Sequence, residues 1–150
     1  MATPNDPFLA THEHRESRPM PPSVPAVDEI GATSAPLTSA AYFIGAHCQA
    51  YNEDFMLCKA ESTNPAHCLK EGRKVTRCAA DVLRQLRANC AEEFERHWKC
   101  LNEHNLEFPR CRQEERPLNE CAFARLGLKK VIPGTSPATA IHEKKNPIHT

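Results

Sequence analysis

Eight thiols are the residues of this chain with the most chemistry to offer, since cysteine can form disulfides, bind soft metals or act as a nucleophile. They stand at Cys48, Cys58, Cys68, Cys78, Cys90, Cys100, Cys111 and Cys121. Taken two at a time they make four C-x9-C units, CQAYNEDFMLC, CLKEGRKVTRC, CAEEFERHWKC and CRQEERPLNEC, with no cysteine left over. Structural zinc favours knuckles of the C-x2-C kind that wrap one ion, and here no two cysteines are closer than ten positions. A thiol oxidoreductase needs a C-x-x-C-like pair with a lowered thiol pKa, and a copper carrier needs near-adjacent thiolates. Neither spacing occurs. His47 and His67 each directly precede a cysteine, about 100° away on a helix, and read as exposed polar residues rather than ligands. His97 falls on an apolar helix side and reads as a packed, hydrogen-bonded residue. Glycine-rich phosphate loops, G-x-S-x-G and H-E-x-x-H are all missing from the sequence, so the expectation is no catalytic residue, no cofactor and no metal.

The spacing instead suits helices that carry disulfides. Ten helical residues rise about 15 Å and stop about 80° short of three turns, so both sulfurs of a unit lie on one side near its two ends. Composition supports staples over a large core. The chain of 150 residues has 19 basic and 19 acidic side chains, 6% aromatics and a mean hydropathy of −0.58. A domain this lean gains much of its stability from cross-links. The balanced charge offers no field for a phosphate backbone, which argues against nucleic acid as a partner. The longest apolar run, Ala40 to Ala46, falls well short of the roughly 18 residues of a membrane span.

An even set of cysteines implies an oxidising compartment. Yet the N-terminal region shows no basic start followed by an apolar block, as a secretory signal would. Asp6, Glu13, Glu16, Asp28 and Glu29 outnumber Arg15 and Arg18, which suits a matrix transit peptide poorly. The mitochondrial intermembrane space reconciles the two observations.

Four regions follow. Residues 1–37 hold seven prolines and read as an extended or disordered arm. Residues 38–80 and 81–130 read as two helical hairpins, and 131–150 as an extended tail. The first helix is expected from Thr38 or Ser39, with an apolar stripe of Ile44, Cys48, Tyr51, Phe55 and Cys58 within an arc of about 80°. Asn64 and Pro65 mark the start of the second. Its stripe of Cys68, Val75, Cys78, Val82 and Leu86 continues in phase through Cys90, Phe94, His97 and Leu101. These residues form either one long helix or two joined near Asp81. Pro109 restarts a helix bearing Cys111, Leu118, Cys121, Ala122 and Leu126, with Gly127 at its end. Pro117 inside it predicts a kink, or a 3₁₀ turn before it. The charge-dense EEFER (Glu92 to Arg96) and RQEER (Arg112 to Arg116) read as solvated faces. The fold class is therefore all-α: two disulfide-stapled antiparallel hairpins flanked by extended arms.

Antiparallel packing brings the start of one helix to the end of the next. It predicts Cys48–Cys78 and Cys90–Cys121 as outer bonds, and Cys58–Cys68 and Cys100–Cys111 as inner ones. Out of on the order of a hundred connectivities, this one meets the Cα separation of about 4.4–6.8 Å that a disulfide needs. A bond within a unit would have to span about 15 Å.

Hairpins of C-x9-C units resemble the coiled-coil-helix-coiled-coil-helix family of mitochondrial proteins. Two consecutive pairs, with the text CLKEGRKVTRCAADVLRQLRANCAEEFERHWKCL and a later RLGL (Arg125 to Leu128), are similar to accessory subunits of respiratory complex I over about residues 36 to 134. The resemblance implies a non-catalytic subunit, peripheral on the intermembrane-space side of the inner membrane, with other complex subunits as partners. It also implies import as a reduced chain, trapped by the disulfide-relay oxidoreductase as a transient partner. Ile44, Tyr51 and Phe55 around Cys48 are candidate import-signal residues, with Phe94 and Trp98 a second set. A free assembly factor or metallochaperone of the same fold is the alternative.

Overall fold

The computed structural model describes residues 19–136 and 142. Residues 1–18 of the expected arm, and 137–141 and 143–150 of the expected tail, lie outside the described residues. The described residues form five α-helices and no strand: α1 (Ser34–His47), α2 (Gln49–Glu61), α3 (Leu69–Asn89), α4 (Ala91–Glu103) and α5 (Arg112–Leu126). Short 3₁₀ turns at Pro65–Cys68 and Phe108–Cys111 lead into α3 and α5.

The helix starts follow local chemistry. Asn64 caps its 3₁₀ turn by accepting from the Ala66 amide at 3.1 Å, and Pro65 takes the first position, where no amide is needed. α1 begins at Ser34, earlier than the expected Thr38 or Ser39. Pro36 belongs to its first turn, whose amides have no intrahelical partner in any case, so proline does not stop the helix there. Pro117 lies inside α5, which continues through it, and the 3₁₀ turn at Phe108–Cys111 precedes it. The amide it lacks would have bonded the carbonyl of Gln113, an exposed residue whose oxygen can turn to water. Gly127 ends α5 at φ 60°, and the amides of Gly127 and Leu128 both close on the Ala122 carbonyl.

Two of the helix junctions fall at a cysteine. Cys48 separates α1 from α2 at φ −97°, ψ 14°, and Cys90 separates α3 from α4 at φ −131°, ψ 41°. The junction between the second and third expected helices is thus at Cys90, and α3 runs unbroken past Asp81.

The break at Cys48 redirects the chain. α1 leaves the first hairpin and lies across α3 and α4. There Ala40 and Phe43 join Val82, Leu83, Leu86, Phe94, Leu118, Ala122 and Leu128 in one core. The stretch before α1 runs along α3, where Arg77 donates to the Ala26 carbonyl at 3.1 Å and Arg87 to that of Gly31 at 3.4 Å. Ile30 and Ala32 pack against the core from this side.

The first hairpin is the thin part of the molecule. α2 buries none of its residues fully, and Tyr51, Met56 and Leu57 are 47%, 64% and 68% exposed. Its apolar contact with α3 includes Phe55, whose ring lies where a Cβ on Gly72 would stand 3.3 Å from Cε2. A methyl group there forces the ring to shift.

With so lean a core, the cross-links decide whether the helices persist. In the chain-entropy account, the outer bonds, closing spans of 30 and 31 residues, contribute more than the inner ones, closing 10 and 11. The difference is about 4 against about 3 kcal/mol per bond. Full reduction should therefore abolish most helical ellipticity at 37 °C. Breaking Cys90–Cys121 with paired serine substitutions should lower the thermal midpoint more than breaking Cys58–Cys68 in the same way. Circular dichroism checks both, and unchanged helicity after reduction would contradict the first.

Candidate functional site

Four disulfides tie the helices: Cys48–Cys78, Cys58–Cys68, Cys90–Cys121 and Cys100–Cys111, with Cα atoms 5.9–6.0 Å apart. Each joins one cysteine just ahead of a helix (Cys48, Cys68, Cys90 or Cys111) to one inside another helix (Cys78, Cys58, Cys121 or Cys100). The outer bonds are buried along the core. Each inner bond pairs a buried sulfur, on Cys68 or Cys111, with a half-exposed cysteine, Cys58 or Cys100, at a hairpin tip.

The two tips share a further feature. A nitrogen of His67 lies within 4.8 Å of both sulfurs of Cys58–Cys68, and a nitrogen of His104 lies equally near those of Cys100–Cys111. His67 is exposed, as expected, and it also approaches Glu61 at 3.4 Å. His104 was missed in the sequence. The signal was available, because Cys100 and His104 are four apart and share a helix face.

Inside the second hairpin lies a cluster of buried polar groups. Lys130, from the segment after α5, places Nζ 2.6 Å from Glu115 Oε1 and 3.2 Å from Asn119 Oδ1. Glu115 also receives the Arg112 guanidinium. The ammonium stands 5.6, 5.3 and 5.3 Å from the ring centroids of Tyr42, Phe43 and Phe108, an aromatic wall that favours a cation. Here the expectation of a solvated RQEER face fails: Glu115 is 1% exposed and Arg112 largely covered. The reason is a partner from outside any helix, since Lys130 supplies the counter-charge that makes burial affordable.

His97 lies next to this cluster. Its ring meets Phe108 at 5.4 Å, and Nδ1 is 2.7 Å from the Ser39 hydroxyl of α1. Its Nε2 is buried without a partner among the described residues. Burial holds the imidazole down at about 4, with Lys130 and Arg112 adding to that and Glu115 opposing it. Burial pushes the Glu115 carboxyl up, but Lys130 and Arg112 outweigh it and leave it below the ordinary carboxylate value. Burial lowers the Lys130 ammonium more than Glu115 raises it.

Of the candidate import-signal residues, Ile44 is half-buried against the core on α1 and Cys48 is fully buried. Tyr51 and Phe55 lie beyond the break on α2, the first exposed and the second half-buried. They do not form one continuous buried stripe, because the helix turns at Cys48. Of the second set, Phe94 is buried and Trp98 packs partly against the core.

Helical hairpins closed by paired C-x9-C bonds, twice in one chain, define a protein of the twin C-x9-C class. No family model matches the chain. It is 50% identical over 137 residues to the NADH-ubiquinone oxidoreductase 20.8 kDa subunit of Neurospora crassa, covering 89% of this chain and 75% of that protein. It is 40% identical over 93 residues to the NADH dehydrogenase [ubiquinone] 1 alpha subcomplex subunits 8-A and 8-B of Arabidopsis thaliana, covering 60% of this chain and 86% and 88% of those proteins. The chain belongs to this family of NADH:ubiquinone oxidoreductase subunits.

The buried imidazole gives a pH dependence with a definite sign. His97 is neutral in the fold and titrates near 6.5 when unfolded, so the unfolded chain binds more protons between those values. Its contribution is complete above about pH 6.5 and lost as the pH falls toward 4, up to about 3 kcal/mol. Urea unfolding at pH 7.5 and 5 should show the loss, and His97→Gln should flatten it. An equal pH response in that variant would remove His97 as the cause.

Proposed function

We propose that this chain is a non-catalytic accessory subunit of mitochondrial respiratory complex I, peripheral on the intermembrane-space side of the inner membrane, where it braces the membrane arm and supports its assembly. The observation that carries the reading is 50% identity, over most of the chain, to a protein named as a subunit of that oxidoreductase. The four disulfides support an oxidising compartment. Among the described residues no helix is long and apolar enough to cross a membrane, which supports a peripheral seat. A frame held by cross-links stays rigid while thin, and α2 keeps Tyr51, Met56 and Leu57 outward for neighbouring subunits.

The reduced chain is the form that the relay oxidoreductase meets. Ile44, Tyr51 and Phe55 around Cys48 then offer an unpacked apolar docking segment, with Phe94 and Trp98 a second one. In the folded chain the Cys48 sulfur is bonded and covered, so recognition precedes folding.

Loss of the protein should lower the amount of full-size complex on native gels, with the wild-type chain co-migrating with it. Persistence of normal complex without the chain, or migration of the chain only as a small free species, would overturn the brace and favour a free assembly factor. Alanine at Tyr51 and Phe55 should slow accumulation of the oxidised chain in isolated mitochondria several-fold while leaving in vitro oxidation unchanged. Equal uptake would dismiss those residues as a signal.

A further inference from the structure

The two hairpin tips carry the same three side-chain types. We infer that each inner cysteine pair, when reduced, is a binding site for a single zinc ion: Cys100, Cys111 and His104 at one tip, and Cys58, Cys68 and His67 at the other. Each set brings two sulfurs and an imidazole nitrogen within 4.8 Å of one another. Cys2His with an open fourth position is a donor set that Zn²⁺ accepts, completed by water.

The geometry is closest at the second tip. Zn–S and Zn–N bonds of about 2.3 and 2.0 Å put the S···N edge of a tetrahedron at about 3.5 Å and the S···S edge at about 3.8 Å. His104 Nδ1 lies 3.6 Å from the Cys100 sulfur and 4.0 Å from the Cys111 sulfur, already near that edge length. The Cα atoms of Cys100 and Cys111, 5.9 Å apart, need little movement for the sulfurs to part. The position of His104 is set by the fold. It ends α4, its amide bonds the Cys100 and Leu101 carbonyls, and Asn105 and Leu106 turn the chain back in left-handed conformation at φ 55° and 60°. In the oxidised chain Nδ1 stands 2.9 Å from the Cys100 carbonyl and donates to it. As a ligand it presents its lone pair, and the ring proton moves to Nε2. At the first tip, Glu61 Oε2 lies 3.4 Å from His67 Nε2.

The inner bonds are also the reducible ones. Cys58 and Cys100 at the tips are partly exposed, which opens one side of each inner bond to a reductant, and the outer bonds are covered by the core. A water-soluble phosphine opens a disulfide with water as co-reactant. Phosphorus is oxidised to the phosphine oxide by the water oxygen, and the water protons end on the two thiols. Zn²⁺ then displaces both thiol protons to solution. The site exists only in the dithiol state, because a disulfide has no thiolate to give.

The test uses the full chain, reduced anaerobically with the phosphine, desalted and titrated with zinc chloride, with peptide mapping to locate the free thiols. The oxidised chain should take up none and the reduced chain two ions. Cobalt(II) in place of zinc should show tetrahedral ligand-field bands with sulfur-to-metal charge transfer. Serine at Cys100 and Cys111 together should remove one ion, and serine at Cys58 and Cys68 the other. His67→Ala with His104→Ala should weaken both sites tenfold or more, with far-UV circular dichroism of the oxidised variant as the check on its fold. No uptake by the reduced chain overturns the site. Uptake of unchanged affinity in the histidine double variant overturns the Cys2His assignment.

Discussion

The structure depends on one covalent rule: every disulfide anchors the entrance of a helix to the body of its neighbour. Cys48, Cys68, Cys90 and Cys111 each precede a helix, in backbone conformations outside the α-helical range. A helix entrance is where free amides and unwinding make a short helix weakest. Fixing that end across to a helix interior sets both the start and the separation of the pair. The helices α2 and α4, 13 residues each, are near the length at which isolated helices are marginal in water, so the bonds supply what propensity cannot.

The two hairpins use this rule against different backgrounds. The second is covered by α1 and sealed by the Lys130–Glu115–Arg112 cluster, and its interior is continuous with the core. In the first, α2 rests on α3 and is held outward, away from the shared core. One half of the molecule is thus a packed body and the other a covalently stiffened projection. That division is found in a chain of the NADH:ubiquinone oxidoreductase subunit family.

Helicity and the helix-borne cysteines were legible because spacing by ten reports on helix geometry alone. The breaks at Cys48 and Cys90 were not, for a physical reason. A junction of one residue leaves no mark in the sequence, because the apolar spacing reads in phase on both sides of it. A wheel drawn through Ile44, Cys48, Tyr51 and Phe55 therefore looks like one buried stripe, although Tyr51 faces solvent. The burial of Glu115 was hidden in a different way. Its counter-ion lies 15 positions on, in a segment with no periodicity to read. His97 was legible because it occupies an apolar helix position, but its partner Ser39 comes from a helix that sequence alone assigns to the other hairpin.

The location of Lys130 has a consequence for the order of events as the chain is made and folds. α1 precedes the cysteines in the chain, yet the groups that cover it belong to α3, α4 and the segment after α5. In N-to-C synthesis, α1 is made with nothing to rest on and stays unsettled until the residues around position 130 follow. Maturation then closes backwards, with a late-emerging ammonium group locking an early-emerging helix in place.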